Sequence, residues 1–180
     1  MSLKSNFKLM AEYNKWINES IYSAASHLSR DSLSENKGAF FGSIIGTLNH
    51  ILVADVIWLK RFASHPSNFS SLHSLAMTPL PENLDSILFS DFAKLKNERN
   101  RLDDVILEFV NQLSDELLDS DLSYQNSNGV PFKKPFSHLI QHFFNHQTHH
   151  RGQISTLLFQ SGIDLGVTDL LAKIPNAYEV

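Results

Sequence analysis

Leu9, Tyr13, Trp16, Ile17, Ser20, Ile21 and Ala24 fall mostly three or four residues apart, the period of a helix that buries one face. They predict a first helix over residues 7–28. The polar run SRDSLSENKG then breaks the pattern. FFGSIIGTLNHILVADVIWLKRFA contains no proline and is apolar nearly all round, which predicts a buried second helix over residues 41–63. Its strongest face carries Ile44, Leu48, Ile51, Leu59 and Phe62. Serines and prolines dominate residues 64–85, so this stretch reads as a long irregular crossover. Loops of that length are uncommon in compact domains and often contribute to a site.

A third helix is expected over residues 90–113, with Ser90 or Asp91 as its N-cap. Its KLKNERNRLDD stretch reads as a solvated run of charge. In DLSYQNSNGVPFKK, Asn128-Gly129 between short alternating runs signals a hairpin, and Pro131 confines one strand to an edge. The fourth helix opens near Pro135, a residue suited to a first helical turn, and stops at Ser161-Gly162. The tail, GIDLGVTDLLAKIPNAYEV, has apolar residues to lay over the bundle, while its glycines and proline keep it short-structured. The expected fold is all-α: a four-helix bundle with a long crossover and a small β-hairpin before the last helix. With no repeat and no linker, residues 1–180 read as a single domain.

The fourth helix holds the candidate chemistry. His138, His142, His146 and His150 recur every fourth residue, so neighbours in the ladder stack nearly on one face. Each step of four drifts by about 40° around the axis. His138 and His150 are thus too far apart in angle to share an ion, and at most two adjacent members can be ligands. Phe136, Leu139, Ile140, Phe143, Ile154, Leu157 and Leu158 mark the buried stripe. His150 falls inside it and His146 on its margin, whereas His138, His142 and His149 point away. Gln147 and Arg151 also lie on the buried side. A polar cluster enclosed between two apolar ends is costly unless its members are partnered, and so suggests a site.

By spacing alone, the His146/His150 pair is either half of a metal site or two hydrogen-bonded core histidines. A site with an open position usually takes three protein ligands. Of His27, His50, His65 and His73, His50 is the best placed, because it lies on the buried second helix beside Val53 and Ile57. Asp55, in the same apolar segment, needs a partner: a ligand histidine N–H or Arg151. Gly152 suggests close helix packing. Trp16, Trp58 and the phenylalanines read as core.

NHILVADVIW followed later by NHQTHHRGQI, together with MAEYNKWINESIY and the SNGVPFKKPFSHLIQHFFNH lead-in, resembles the DinB family of bacterial four-helix-bundle metalloproteins. The resemblance covers most of the chain. It implies that one histidine of the second helix and an HxxxH pair of the last hold a divalent metal, which here are His50, His146 and His150. His₃ sites suit zinc, nickel, iron and copper alike, with zinc or nickel favoured. The resemblance further implies a homodimer and metal-assisted chemistry in which a low-molecular-weight thiol adds to an electrophilic small molecule. A non-enzymatic, stress-related metal-binding protein and a helical dimerisation module are the competing readings.

Composition narrows the partners. There are no cysteines, hence no disulfide framework and no protein thiol to serve as nucleophile; a thiol would arrive as cosubstrate. The formal net charge of −4 gives no basic footprint, so nucleic acid is not an expected partner. The N-terminus lacks the continuous apolar core of a signal peptide. The closest approach to a membrane span, GSIIGTLNHILVADVIWLK, contains His50 and Asp55. A cytoplasmic protein without a membrane partner is expected.

Overall fold

The computed structural model describes residues 2–176. Four long helices form the bundle: α1 (Leu3–Ala25), α3 (Ile44–Ala63), α4 (Phe92–Asn111) and α6 (Phe136–Gln160). Two short helices, α2 (Arg30–Ser34) and α5 (Asp115–Leu118), occupy the breaks after α1 and α4, and β1 (Asp121–Gln125) pairs antiparallel with β2 (Pro131–Pro135) just before α6. The all-α bundle with its hairpin is therefore as the sequence implies.

Local chemistry sets the boundaries. Ser2 accepts a hydrogen bond from the Ser5 N–H and starts α1 earlier than the apolar period alone suggests. Asp91 caps α4 through the Lys94 N–H. α3 starts at Ile44 rather than at residue 41, because Gly42 sits at φ 74° and Ser43 is the N-cap, accepting from the Gly46 N–H. Phe40 and Phe41 are thereby turned out of the helix. The polar break is partly helical, with Ser29 capping α2.

Partner side chains fix the helix directions. Lys4 reaches the Asn111 carbonyl and Asn18 reaches Asp103, so α1 runs antiparallel to α4. Asn49 bonds the Phe89 backbone, Asp55 pairs with Arg99 and Phe62 stacks on Phe109, so α3 and α4 run parallel. His50 meets His150 and Trp58 meets His142, which makes α6 antiparallel to α3. Parallel neighbours oblige the chain to return the length of α3, about 30 Å at 1.5 Å per residue. That is why the crossover is long.

The crossover is less irregular than its composition suggests. A 3₁₀ turn, Ser70–Leu75, buries Leu72 and Leu75, and Phe69 packs edge-on against Phe109 at 5.0 Å. His65 stacks on Phe136 at 4.6 Å and bonds the Ser120 hydroxyl, a structural role. Lys60 Nζ donates to the Leu75 and Thr78 carbonyls and ties the loop to α3. The tail folds back so that the Tyr13 hydroxyl donates to the Thr168 carbonyl at 2.7 Å. Its last four residues lie outside the described ones. Among the described residues no helix is long and apolar enough to cross a membrane.

Two expectations fail here. The KLKNERNRLDD stretch is not wholly solvated: Arg99 and Asp103 are each 1% exposed, since α4 turns both toward the bundle axis one helical turn apart. Gly152 does not mediate close packing, because a Cβ built there meets nothing within 4 Å. The close approach is at Gly46, where a Cβ would collide with the Phe41 carbonyl oxygen.

Candidate metal centre

α3 and α6 bring His50, His146 and His150 together. His50 Nε2 stands 3.2 Å from both His146 Nε2 and His150 Nε2, and one nitrogen from each lies within 4.8 Å of the others. The far ring nitrogens decide the chemistry. His50 Nδ1 lies 2.8 Å from the Leu84 carbonyl and His150 Nδ1 lies 2.8 Å from Gln153 Oε1. Both oxygens only accept, so each Nδ1 carries the proton and each neutral ring presents a bare Nε2 lone pair. The 3.2 Å approach of His50 to His150 then has no hydrogen to share. Two converging lone pairs repel unless a cation stands between them, and so this donor set fits a metal ion. Burial pushes the His146 imidazole down to about 3, helped by the neighbouring His150 and His50, and burial also lowers His50 and His150. All three are neutral near pH 7, the state a metal ligand requires.

Phe41 forms one wall, stacking on the His50 ring at 3.7 Å and meeting His150 edge-on at 5.6 Å. The sequence pattern places Phe41 at the first position of the second helix; Gly42 and Ser43 end the helix short of it and leave it free to turn onto the His50 ring. The turn that carries it depends on Gly46. Gly46→Ala must displace the Phe41 carbonyl, and we expect at least about a tenfold loss of metal affinity through the displaced wall. Competition against a chromophoric chelator measures this. Unaltered affinity would mean that Phe41 has no part in holding His50.

The remaining histidines stay out of the group. His138, His142 and His149 are exposed, with His142 set edge-on against Trp58 at 5.1 Å. His73 bonds Asn68 on the crossover, and His27 is exposed beyond α1.

Behind the triad lies a closed ring of buried polar side chains drawn from all four long helices. Asp55 accepts from Gln147 Nε2 at 2.8 Å and from Arg99. Arg99 also pairs with Asp103 at 3.0 Å, and Asp103 accepts from Asn14 at 3.0 Å. Arg151 closes the ring by donating to Asn14 and to Gln147 Oε1. Asp55 thus neither pairs directly with Arg151 nor holds a ligand histidine, as its place in the sequence had suggested. Gln147 stands between it and Arg151, while His50 and His150 are held by Leu84 and Gln153. Two carboxylates face two guanidiniums, so the buried charge balances. Burial pushes Asp103 up to about 6 against the pull of Arg99, and pushes Arg151 down to about 10. Gln147 follows His146 directly on α6, so the ring fixes the rotation that aims His146 and His150 at α3.

The family model described as "DinB family" matches residues 1–179. The chain is similar to Protein DinB of Bacillus subtilis (strain 168), with 29% identity over 163 residues, which cover 91% of this chain and 90% of the relative. No solved structure matches. With a helical bundle, a buried histidine triad and a family model that spans nearly every residue, this chain belongs to the DinB family.

Proposed function

We propose that His50, His146 and His150 bind one divalent metal, zinc or nickel in preference to iron or copper, and that the protein transfers a low-molecular-weight thiol to an electrophilic small molecule. The observation that carries this reading is the meeting of three neutral Nε2 donors with no carboxylate or fourth imidazole joining them among the described residues. Three neutral ligands leave a bound cation its full charge and room for a further ligand. When bound there, the ion supplies Lewis acidity that favours the thiolate over the thiol at neutral pH. The chain's own part is to hold three lone pairs in register, exclude water on the Phe41 side and leave the nucleophile to the cosubstrate, since it has no cysteine.

In the overall reaction the sulfur forms a C–S bond and gives up its proton; a halide-bearing electrophile releases halide and the proton passes to solvent, whereas an addition acceptor takes up one proton in place of losing a leaving group. Metal-loaded protein should therefore accelerate the reaction of glutathione, cysteine or 2-mercaptoethanol with 1-chloro-2,4-dinitrobenzene. Chelation should remove the effect and metal should restore it. Equal rates for loaded and chelated protein with every thiol would instead favour a non-enzymatic metal-binding role. The reading places the protein in the cytoplasm, where small thiols are kept reduced. It also includes a homodimer, supported by exposed apolar side chains such as Phe159, Val167 and Leu171. Sedimentation velocity at micromolar concentration should give twice the chain mass; a monomer alone would remove this part.

A further inference from the structure

One face of α3 runs from the triad into a second feature. Ile57 and Arg61 follow His50 by about two and about three helical turns on nearly the same face. They line a half-open cavity of about 660 Å³ bounded by the crossover and the hairpin, with Leu84 and Tyr124 in its walls. Leu84 belongs to both places, because its carbonyl accepts from His50 Nδ1 while the residue lines the cavity. Packed aromatic rings connect the cavity wall to the triad. His146 lies 6.2 Å from His142, His142 lies 5.1 Å from Trp58, and the Arg61 guanidinium lies 4.7 Å over Trp58.

Arg61 is the unusual member. It is half-buried, and its guanidinium sits over Trp58 and, at 5.1 Å, over Tyr124. Neither ring can accept its five N–H donors in the way an oxygen does, and among the described residues no carboxylate or carbonyl takes them. Burial lowers its pKa against a smaller opposing pull from the Tyr124 hydroxyl, and no carboxylate pairs with it among the described residues. Glu82, a carboxylate in the cavity wall, forms no ion pair with it. Lys60, the other cation of the wall, is already committed to crossover carbonyls. One uncommitted planar cation, framed by aromatic faces, matches a single planar carboxylate better than a phosphate, which calls for more charge.

We propose that Arg61 receives the carboxylate of a small-molecule ligand in this cavity, which shares Leu84 with the histidine triad. The carboxylate site stands on Arg61 and the cavity alone; its link to the reaction rests on the thiol-transfer reading.

The test separates the two. On chelated protein, 4-phenylbutyrate should move the Arg61 Nε–H resonance and bind at least about tenfold tighter than the uncharged 4-phenylbutanamide, as a charge-assisted pair requires. Arg61→Gln should erase that preference. Arg61→Lys, which keeps the charge, should retain part of it and serves as the folding control. On loaded protein, Arg61→Gln should raise KM with kcat and metal content unchanged. A rise for glutathione but not for its diethyl ester assigns the carboxylate to the thiol. A rise for 4-chloro-3,5-dinitrobenzoate but not for its methyl ester assigns it to the electrophile. Equal binding of the butyrate and the amide, or an undiminished preference in Arg61→Gln, overturns the proposal. A preference that survives in a protein with no conjugation activity supports the carboxylate site and removes the thiol-transfer reading alone.

Discussion

Asp55→Ala should destabilise the fold by about 3–5 kcal/mol, the cost of leaving a buried charge without its partner. Asp55 is 1% exposed and so is Arg99. Removing the carboxylate leaves the Arg99 guanidinium with Asp103 alone and Gln147 Nε2 with no acceptor. The damage should not stay local, because the ring that passes through Gln147 orients α6. Metal retention should fall along with stability. Asp55→Leu combined with Arg99→Met should recover much of the loss, since apolar side chains of similar volume tolerate that interior better than one orphaned charge. Denaturant unfolding followed by circular dichroism gives all three values. A loss under about 1 kcal/mol for Asp55→Ala would show that water or rearrangement replaces the ring at little cost.

The second large effect is on the metal. His150→Ala removes a donor whose Nε2 is 3.2 Å from that of His50, and should weaken binding by more than about 100-fold, beyond what loss of a supporting hydrogen bond costs. Conjugation activity should vanish with it. His138→Ala and His149→Ala should leave both intact, because those rings are exposed and outside the group. Gln153→Ala should fall between, by about tenfold, as it frees His150 Nδ1 without deleting the ligand. Equal metal loss in His149→Ala and His150→Ala would break the assignment.

Much of this arrangement is legible along the chain, and what is not has a physical reason. The period of α6 places His150, Gln147 and Arg151 on the buried face because a long regular helix projects its sequence directly onto packing. The position of His50 is harder to read: α3 is apolar almost all round, so periodicity alone does not choose its metal-facing side. Arg99 and Asp103 were hidden by type, since charged residues spaced along a helix are ordinarily solvated. Their burial depends on Asp55, Asn14 and Asn18 arriving from two other helices. Phe41, Leu84 and Arg61 act across a turn, a crossover and a hairpin. Contacts of that kind depend on the bundle's directions, which no local window contains.

Metal content and coordination, measured on protein purified without a polyhistidine tag, test the central claim most directly. Elemental analysis should find one divalent metal per chain. X-ray absorption at that metal's edge should show three imidazole nitrogens at about 2.0–2.1 Å, the distance expected for zinc, with the imidazole count falling by one in His50→Ala. Metal-free protein that also fails to take up added zinc or nickel, or an ion whose imidazoles are lost in His142→Ala and kept in His146→Ala, would contradict the account.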